Sequence, residues 1–412
     1  LEAVMKKSYD VVIVGGGILG CSVAYHLCTQ SRLKVALVER GMIGMQTTSL
    51  AASVITRGKS TQAQIDLVRD TYNAIDTLET KLGEDLNFNS VGSLHIAQSD
   101  RSAEAFAKQA KLLREVGDTP QELSVEQAKE MVPWLALDEA TLVSYNPLDG
   151  FVDPYRLTSA YIRGAKASGR LDVYQSTEVF ELEAKDGLVT GVETKSGYLQ
   201  SDQVVIAAGP WANRLLKPHG SSAAMAPVRS HYWMTESHSA FPVTSPVVLL
   251  PEANAYARPE VGGLLFGLRN QIGKWAHPEE LPTSLQGFSF DEDFHGWQAL
   301  EEAAGLFLDL CPALSEAEIH HYISGPSCYT PDSNYLIGAT PNLRGAYLAS
   351  GCCGSGIAIS GGVGSSIADL VLGRSPKIDL TAFAPNRFTD FDPYDREFLE
   401  QCVQSRSLKK AG

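Results

Sequence analysis

The sequence predicts an α/β fold in which a parallel sheet, assembled from both ends of the chain, is interleaved with an antiparallel sheet. Three observations carry that prediction. The chain opens with the apolar run Val11-Val-Ile-Val14 leading into Gly15-Gly-Gly17-Ile18-Leu19-Gly20. It returns to the same pattern at 346–350, leading into Gly351-Cys-Cys-Gly354-Ser355-Gly356. Between them, the apolar run at 203–206 ends in Ala207-Ala208-Gly209-Pro-Trp211. A short apolar strand feeding a glycine turn and a small-residue helix is the signature of a βα unit buried on both faces of its sheet.

The first unit is the most informative. Gly15 lets the chain reverse off its strand, Gly17 lets the backbone approach a pyrophosphate, and Gly20 lets the helix lie close to the sheet. Free N–H groups at the helix start then favour the phosphates. A second strand, 34–38, delivers Glu39 and Arg40. A carboxylate at that place accepts both hydroxyls of an adenosine ribose and repels a 2′-phosphate, so FAD or NAD is favoured over NADP in a Rossmann-like domain.

The remaining elements follow in order. A polar loop with Thr47, Thr48, Ser49 and Ala51 precedes an amphipathic helix over 61–82, whose apolar positions recur every three or four residues. A strand at 91–97, a helix at 101–116 and a capping box at Ser124 and Gln127 come next. Asp153 and Pro154 open a helix as N-cap and first-turn proline. Residues 171–207 read as a meander with turns at Asp186-Gly187 and Ser196-Gly197. Strands at 226–235, 246–250, 254–259 and 263–268 form a separate antiparallel sheet, followed by helical residues over 293–310 that include Trp297. His320 and His321 are expected on opposite faces of a strand, and the tail 403–412 is expected to fray. The resulting domains are 8–83, 150–220 and 326–390 for the nucleotide, and 84–149 with 221–325 for the substrate. Residues 391–412 are left as a C-terminal tail.

Composition narrows the partners. A net charge of −14 argues against nucleic acid, and no eighteen-residue apolar run spans a membrane. Seven cysteines without framework spacing point to free thiols in a reducing compartment, cytoplasm or mitochondrial matrix. The first residue is Leu1 rather than Met, so a removed targeting peptide is compatible with the sequence. No metal-ligand spacing is present.

The glycine unit with Glu39, the Thr47-Thr48-Ser49-x-Ala51-Ala52 loop, Ala207–Trp211, Gly325-Pro-Ser-Cys328-Tyr-Thr-Pro-Asp332 and the closing glycine turn together resemble the D-amino-acid oxidase superfamily of FAD-dependent oxidoreductases. The sarcosine and dimethylglycine dehydrogenase and sarcosine oxidase branch is the most similar. The resemblance implies bound FAD, with Thr47, Thr48 and Ser49 beside the flavin. Val179 would meet the adenine, and Gly354, Ser355, Gly356 and Ile357 would cradle the ring, with Ala208, Gly209, Trp211, Gly325 and Asp332 in the same binding domain. Ser49-Leu50 stands where those dehydrogenases carry a Trp-His pair for covalent attachment, which leaves non-covalent FAD or a thioether at Cys328.

Substrates in that superfamily are amines or amino acids whose carboxylate needs a cation. Arg258 is the first candidate, followed by Arg57, Arg229 and Arg269; His231, Tyr232, Tyr256 and Tyr322 are candidates for lining the pocket or taking the amine proton. The implied reaction is hydride transfer from the carbon beside a secondary or tertiary amine to flavin, then imine hydrolysis. Oxygen or a protein or quinone carrier would take the electrons. A D-amino-acid, opine or proline dehydrogenase subunit, and a non-catalytic flavoprotein assembly factor, remain as alternatives, and the oligomeric state is not legible.

Overall fold

A computed structural model describes residues 7–137, 139–269 and 273–408. Its six-stranded sheet has the order Leu336–Ala339, Ala346–Ser350, Val204–Ile206, Val11–Val14, Val35–Val38, Leu171–Tyr174. All neighbours are parallel except the edge strand Leu336–Ala339. The opening and closing strands are thus separated only by Val204–Ile206. Side-chain alternation sorts the two faces. Val11, Ile13, Val35 and Leu37 join one apolar cluster with the helices, while Val12, Val14, Ala36 and Val38 join another with Leu182, Val192 and Leu199. This double coverage is why the opening strand is apolar at every position.

The second face is covered by a four-stranded sheet, Lys7–Ser8, Gly197–Gln200, Leu188–Thr194 and Val179–Lys185. The expected meander therefore begins at Val179. Leu171–Tyr174 is the outer strand of the parallel sheet, because its side chains continue the coverage beyond Val35–Val38.

The eight-stranded sheet runs Ile319–Tyr329, Ala226–Thr235, Gly263–Leu268, Ala255–Glu260, Val247–Leu250, Ser93–Ala97, Leu142–Asn146, Gln121–Leu123. It is mixed rather than purely antiparallel, since Val247–Leu250 pairs in parallel with Ser93–Ala97. The helical stretch expected over 293–310 begins at Trp297 and consists of two helices, Trp297–Ala303 and Gly305–Leu310, meeting at Ala304 and Gly305. Glycine at that junction weakens continuation. His320 and His321 are edge-to-face with centroids 4.4 Å apart, because a register shift opposite Thr235 inserts His320 as an extra residue. The tail does not fray through 408. Arg396–Leu408 is a helix packed on Ala226–Thr235 and Ile319–Tyr329, with Cys402, Val403, Ser405 and Arg406 buried; residues 409–412 lie outside the described residues.

Helix Ser360–Val371 packs against helices Ile18–Gln30 and Gln62–Leu82. A Cβ on Gly362 would lie 2.4 Å from Leu67 Cα, and one on Gly364 2.2 Å from Ser22 Oγ. Substituting Gly362 by Val should therefore lower unfolding free energy by about 1–3 kcal/mol, overriding the helix propensity that valine adds; urea denaturation measures it.

Asp149 ties the strand pair Val54–Ile55 and Gly150–Phe151 to the large sheet. Its carboxylate accepts from Ser93 Oγ at 2.7 Å and Arg57 N at 2.9 Å. Burial raises its pKa to about 6 from 3.8. The folded state thus holds this proton more tightly than the unfolded state, and the group's contribution is most favourable below pH 4 and is lost as pH rises to 6. Relative to Asp149→Asn, wild-type stability should decline by up to about 3 kcal/mol across that window, measured by urea titrations at each pH.

Candidate active site

One cleft runs from the first glycine turn to the large sheet. At its near end, the turn is held by backbone packing. Gly15 has φ +109°, and a Cβ there would lie 2.4 Å from Ala207 O; a Cβ on Gly20 would lie 2.0 Å from Gly15 O. Gly17 faces the cleft with only Thr48 Oγ1 nearby. Ile18 N donates to Thr48 Oγ1 at 3.1 Å, so the loop after Glu39 is anchored to the helix start. Among the described residues, no hydrogen bond is found for the N–H groups of Gly17, Leu19 or Gly20. Gly17 and Leu19 line the cleft, and unbonded N–H groups at a helix start suit an anion; Gly20 packs behind them.

Glu39 is buried, and each of its oxygens accepts one backbone N–H, from Gly16 at 2.7 Å and Gly41 at 2.8 Å. Each retains a second lone pair for a ribose hydroxyl. Beyond it, the Arg40 guanidinium lies 3.7 Å from the centroid of Trp211, and its Nη2 is buried without a partner. Val179, Ala208 and Gly209 line the same end.

The closing turn supplies the middle of the cleft. Cys353 and Gly354 both have left-handed backbone, φ 48° and 77°, which turns the chain sharply after strand Ala346–Ser350. Gly354 N donates to Ser327 Oγ at 3.1 Å. The N–H groups of Gly356, Ile357 and Ala358 have no hydrogen bond among the described residues, and all three residues line the cleft with Ser355. Such a row of donors suits an atom on which negative charge develops.

The family described as DAO, FAD dependent oxidoreductase, matches residues 10–370. The chain belongs to this family. Human mitochondrial dimethylglycine dehydrogenase is 31% identical over 94% of the chain and 45% of its own length. The chain thus spans a little under half the length of the curated relatives of that name that it matches. Among solved structures, L-proline dehydrogenase from P. horikoshii is similar with a TM-score of 0.81 and 25% identity, over 93% of this chain and 98% of that one. Glycine oxidase from Geobacillus kaustophilus gives 0.77 and 27%, over 93% and 100%.

The donor set fits the family's dinucleotide. A glycine, Gly17, that leaves the cleft open where a Cβ would project, a carboxylate with two spare lone pairs and two sets of unbonded N–H groups lie along one continuous cleft.

Not every expected residue lies on that cleft. Ser49 turns away and donates to Gln46 O at 2.8 Å, while Thr47, Thr48 and Ala51 line the wall. Asp332 is off the cleft, paired with Arg387 at 2.9 Å and bracing its own turn through Thr330 and Asn334. Gly325 lines it, and its missing Cβ makes room for Leu50 Cδ1 at 2.5 Å. Cys328 borders the cleft but is only 3% exposed and joins Leu336 and Leu348 in the sheet's apolar cluster, while Ser327, one residue earlier, accepts from Gly354 N in the closing turn.

At the large sheet the first-choice arginine is occupied. Arg258 does not line the cleft; it pairs with Glu260 at 2.5 Å and donates to Ala52 O at 2.9 Å and Pro259 O at 3.0 Å. Arg57 pairs with Asp118 at 3.0 Å and Arg229 with Asp291 at 3.2 Å. His231 lines the cleft, with Nε2 3.1 Å from Leu268 O and Nδ1 3.0 Å from Tyr322 Oη. A carbonyl only accepts, so Nε2 carries the proton; in the neutral ring the Nδ1 lone pair accepts from Tyr322 Oη and is directed at that hydroxyl. Tyr322 itself sits behind the wall. Tyr256 and Arg269 do line it, and burial pushes the Tyr256 phenol well up, so it stays a donor.

Replacing Glu39 by Ala should lower flavin retention about tenfold or more, the worth of a charge-assisted hydrogen bond, read as the flavin-to-protein absorbance ratio after dialysis.

Proposed function

We propose that this chain oxidises the C–N bond of a small secondary or tertiary amine bearing a carboxylate, using non-covalent FAD. The observation that carries the reading is the continuity of the cleft from the two glycine turns to Tyr256 and Arg269. Glu39 would hold the ribose, Gly17 and Leu19 the pyrophosphate, and Gly356 to Ala358 the electron-rich edge of the ring. The flavin, when bound, supplies the two-electron acceptor.

The chain's own residues do the rest. Arg269 offers a planar fork for the substrate carboxylate and Tyr256 a neutral hydroxyl donor, which together fix the carbon beside the nitrogen. The amine must be unprotonated for its lone pair to form the C=N bond as hydride leaves. A cationic wall favours that state without a dedicated base, because like charge lowers the pKa of a bound ammonium. Water then releases amine and carbonyl products. The mitochondrial relatives and the seven free cysteines support a reducing compartment, cytoplasm or matrix.

The test is anaerobic titration of the purified protein with N-methyl amino acids, D-amino acids and proline. Loss of the oxidised-flavin band with an N-methyl amino acid is expected, with formaldehyde as product; ammonia and a keto acid would favour the deaminating alternative. A band that no amine bleaches would favour the non-catalytic one. Arg269→Met should reduce kcat/KM by about 10- to 100-fold, the value of a charged hydrogen bond to carboxylate, in steady-state assays.

A further inference from the structure

At the large-sheet end of the cleft, two arginines have no acid to neutralise them among the described residues. Arg269 follows strand Gly263–Leu268, and Arg406 comes from helix Arg396–Leu408. Both line the cleft, and Arg406 is only 4% exposed. Arg269 Nη1 and Arg406 Nε are shielded from solvent without a hydrogen-bond partner. Among the described residues, neither side chain enters an ion pair, whereas Arg57, Arg229 and Arg258 each have one. Tyr256 and Tyr329 share the wall with them. The acids on the cleft, Glu39 and Glu178, belong to its other end with Arg40 and Val179.

Burying a guanidinium without a counter-charge is strongly unfavourable, and arginine does not escape by losing its proton. One carboxylate occupies one planar fork. Two forks on one wall are therefore matched by a ligand carrying two negative groups.

We propose that the site takes a small dianion, and that the substrate is an amine with two carboxylates, one held by Arg269 and the other by Arg406. This rests on the reading above for its chemistry, in which the C–H bond beside nitrogen breaks, its hydride and electron pair pass to flavin, and the amine becomes an imine that water hydrolyses. The two-carboxylate requirement rests on the arginines alone.

The test uses ligands that cannot react. Thiodiacetate and methylthioacetate place sulfur where the amine nitrogen would be and differ by one carboxylate. Isothermal titration calorimetry of the purified holoprotein should show thiodiacetate binding about 10- to 100-fold more tightly. Arg406→Met should abolish that preference while changing methylthioacetate affinity less than about threefold, and Arg406→Lys should restore part of it. Equal wild-type affinities would overturn the proposal without any variant, and so would an Arg406→Met protein that folds and loses both ligands equally. A preference for thiodiacetate in a protein whose flavin no amine bleaches would uphold the dianion site and sink the amine oxidation.

Discussion

Backbone touching backbone is the constraint on which this structure depends. The first helix can start where it does only because Gly20 has no side chain between it and the carbonyl of Gly15, and Gly15 only because it sits against Ala207. The later helix Ser360–Val371 repeats the solution against helix Gln62–Leu82, through Gly361 at Asp70 O and Gly362 at Leu67. Close approach at these two places aims both sets of unbonded N–H groups at one cleft. A methyl group at either would move the donors by more than a hydrogen bond tolerates.

Charge is distributed along the cleft with the same economy. Near the first turn, Glu39 spends half of its accepting capacity on Gly16 and Gly41, which fixes its orientation and leaves the other half open. At the large sheet, Arg258 is paired with Glu260 on its own strand and Arg229 with Asp291 from a distant loop, whereas Arg269 and Arg406 enter no ion pair among the described residues. The contrast separates arginines that hold the fold from arginines available to a ligand. Overall net charge says nothing about it, since a protein at −14 carries a cationic wall.

Much of the nucleotide side was legible because its logic is local. Strand, glycine spacing and the acid at Glu39 all fall within about thirty residues, where hydrophobic period and turn chemistry operate. The substrate side was less so. Arg258 and Glu260 stand two apart on one strand and so share a face, a pairing the alternation allowed to be read in advance. The same alternation separates Ser327 from Cys328. Arg406 was out of reach, because a charged residue near a chain end looks like a solvated helix face until the sheet it packs on is known. The break at Ala304 and Gly305 and the parallel junction at Val247–Leu250 are likewise decided by tertiary packing.

The place of Val204–Ile206 in the six-stranded sheet has a consequence for biosynthesis. It lies between Val11–Val14 and Ala346–Ser350, so the central strands of one layer emerge from the ribosome at three widely separated times. Until the last of them arrives, Val11–Val14 has neighbours on one side only through residues made much later, and its apolar face waits without cover. Parallel pairings of such long sequence separation form slowly. The nascent chain therefore exposes apolar strand faces during translation, and the cleft is complete only after the closing turn has left the exit tunnel.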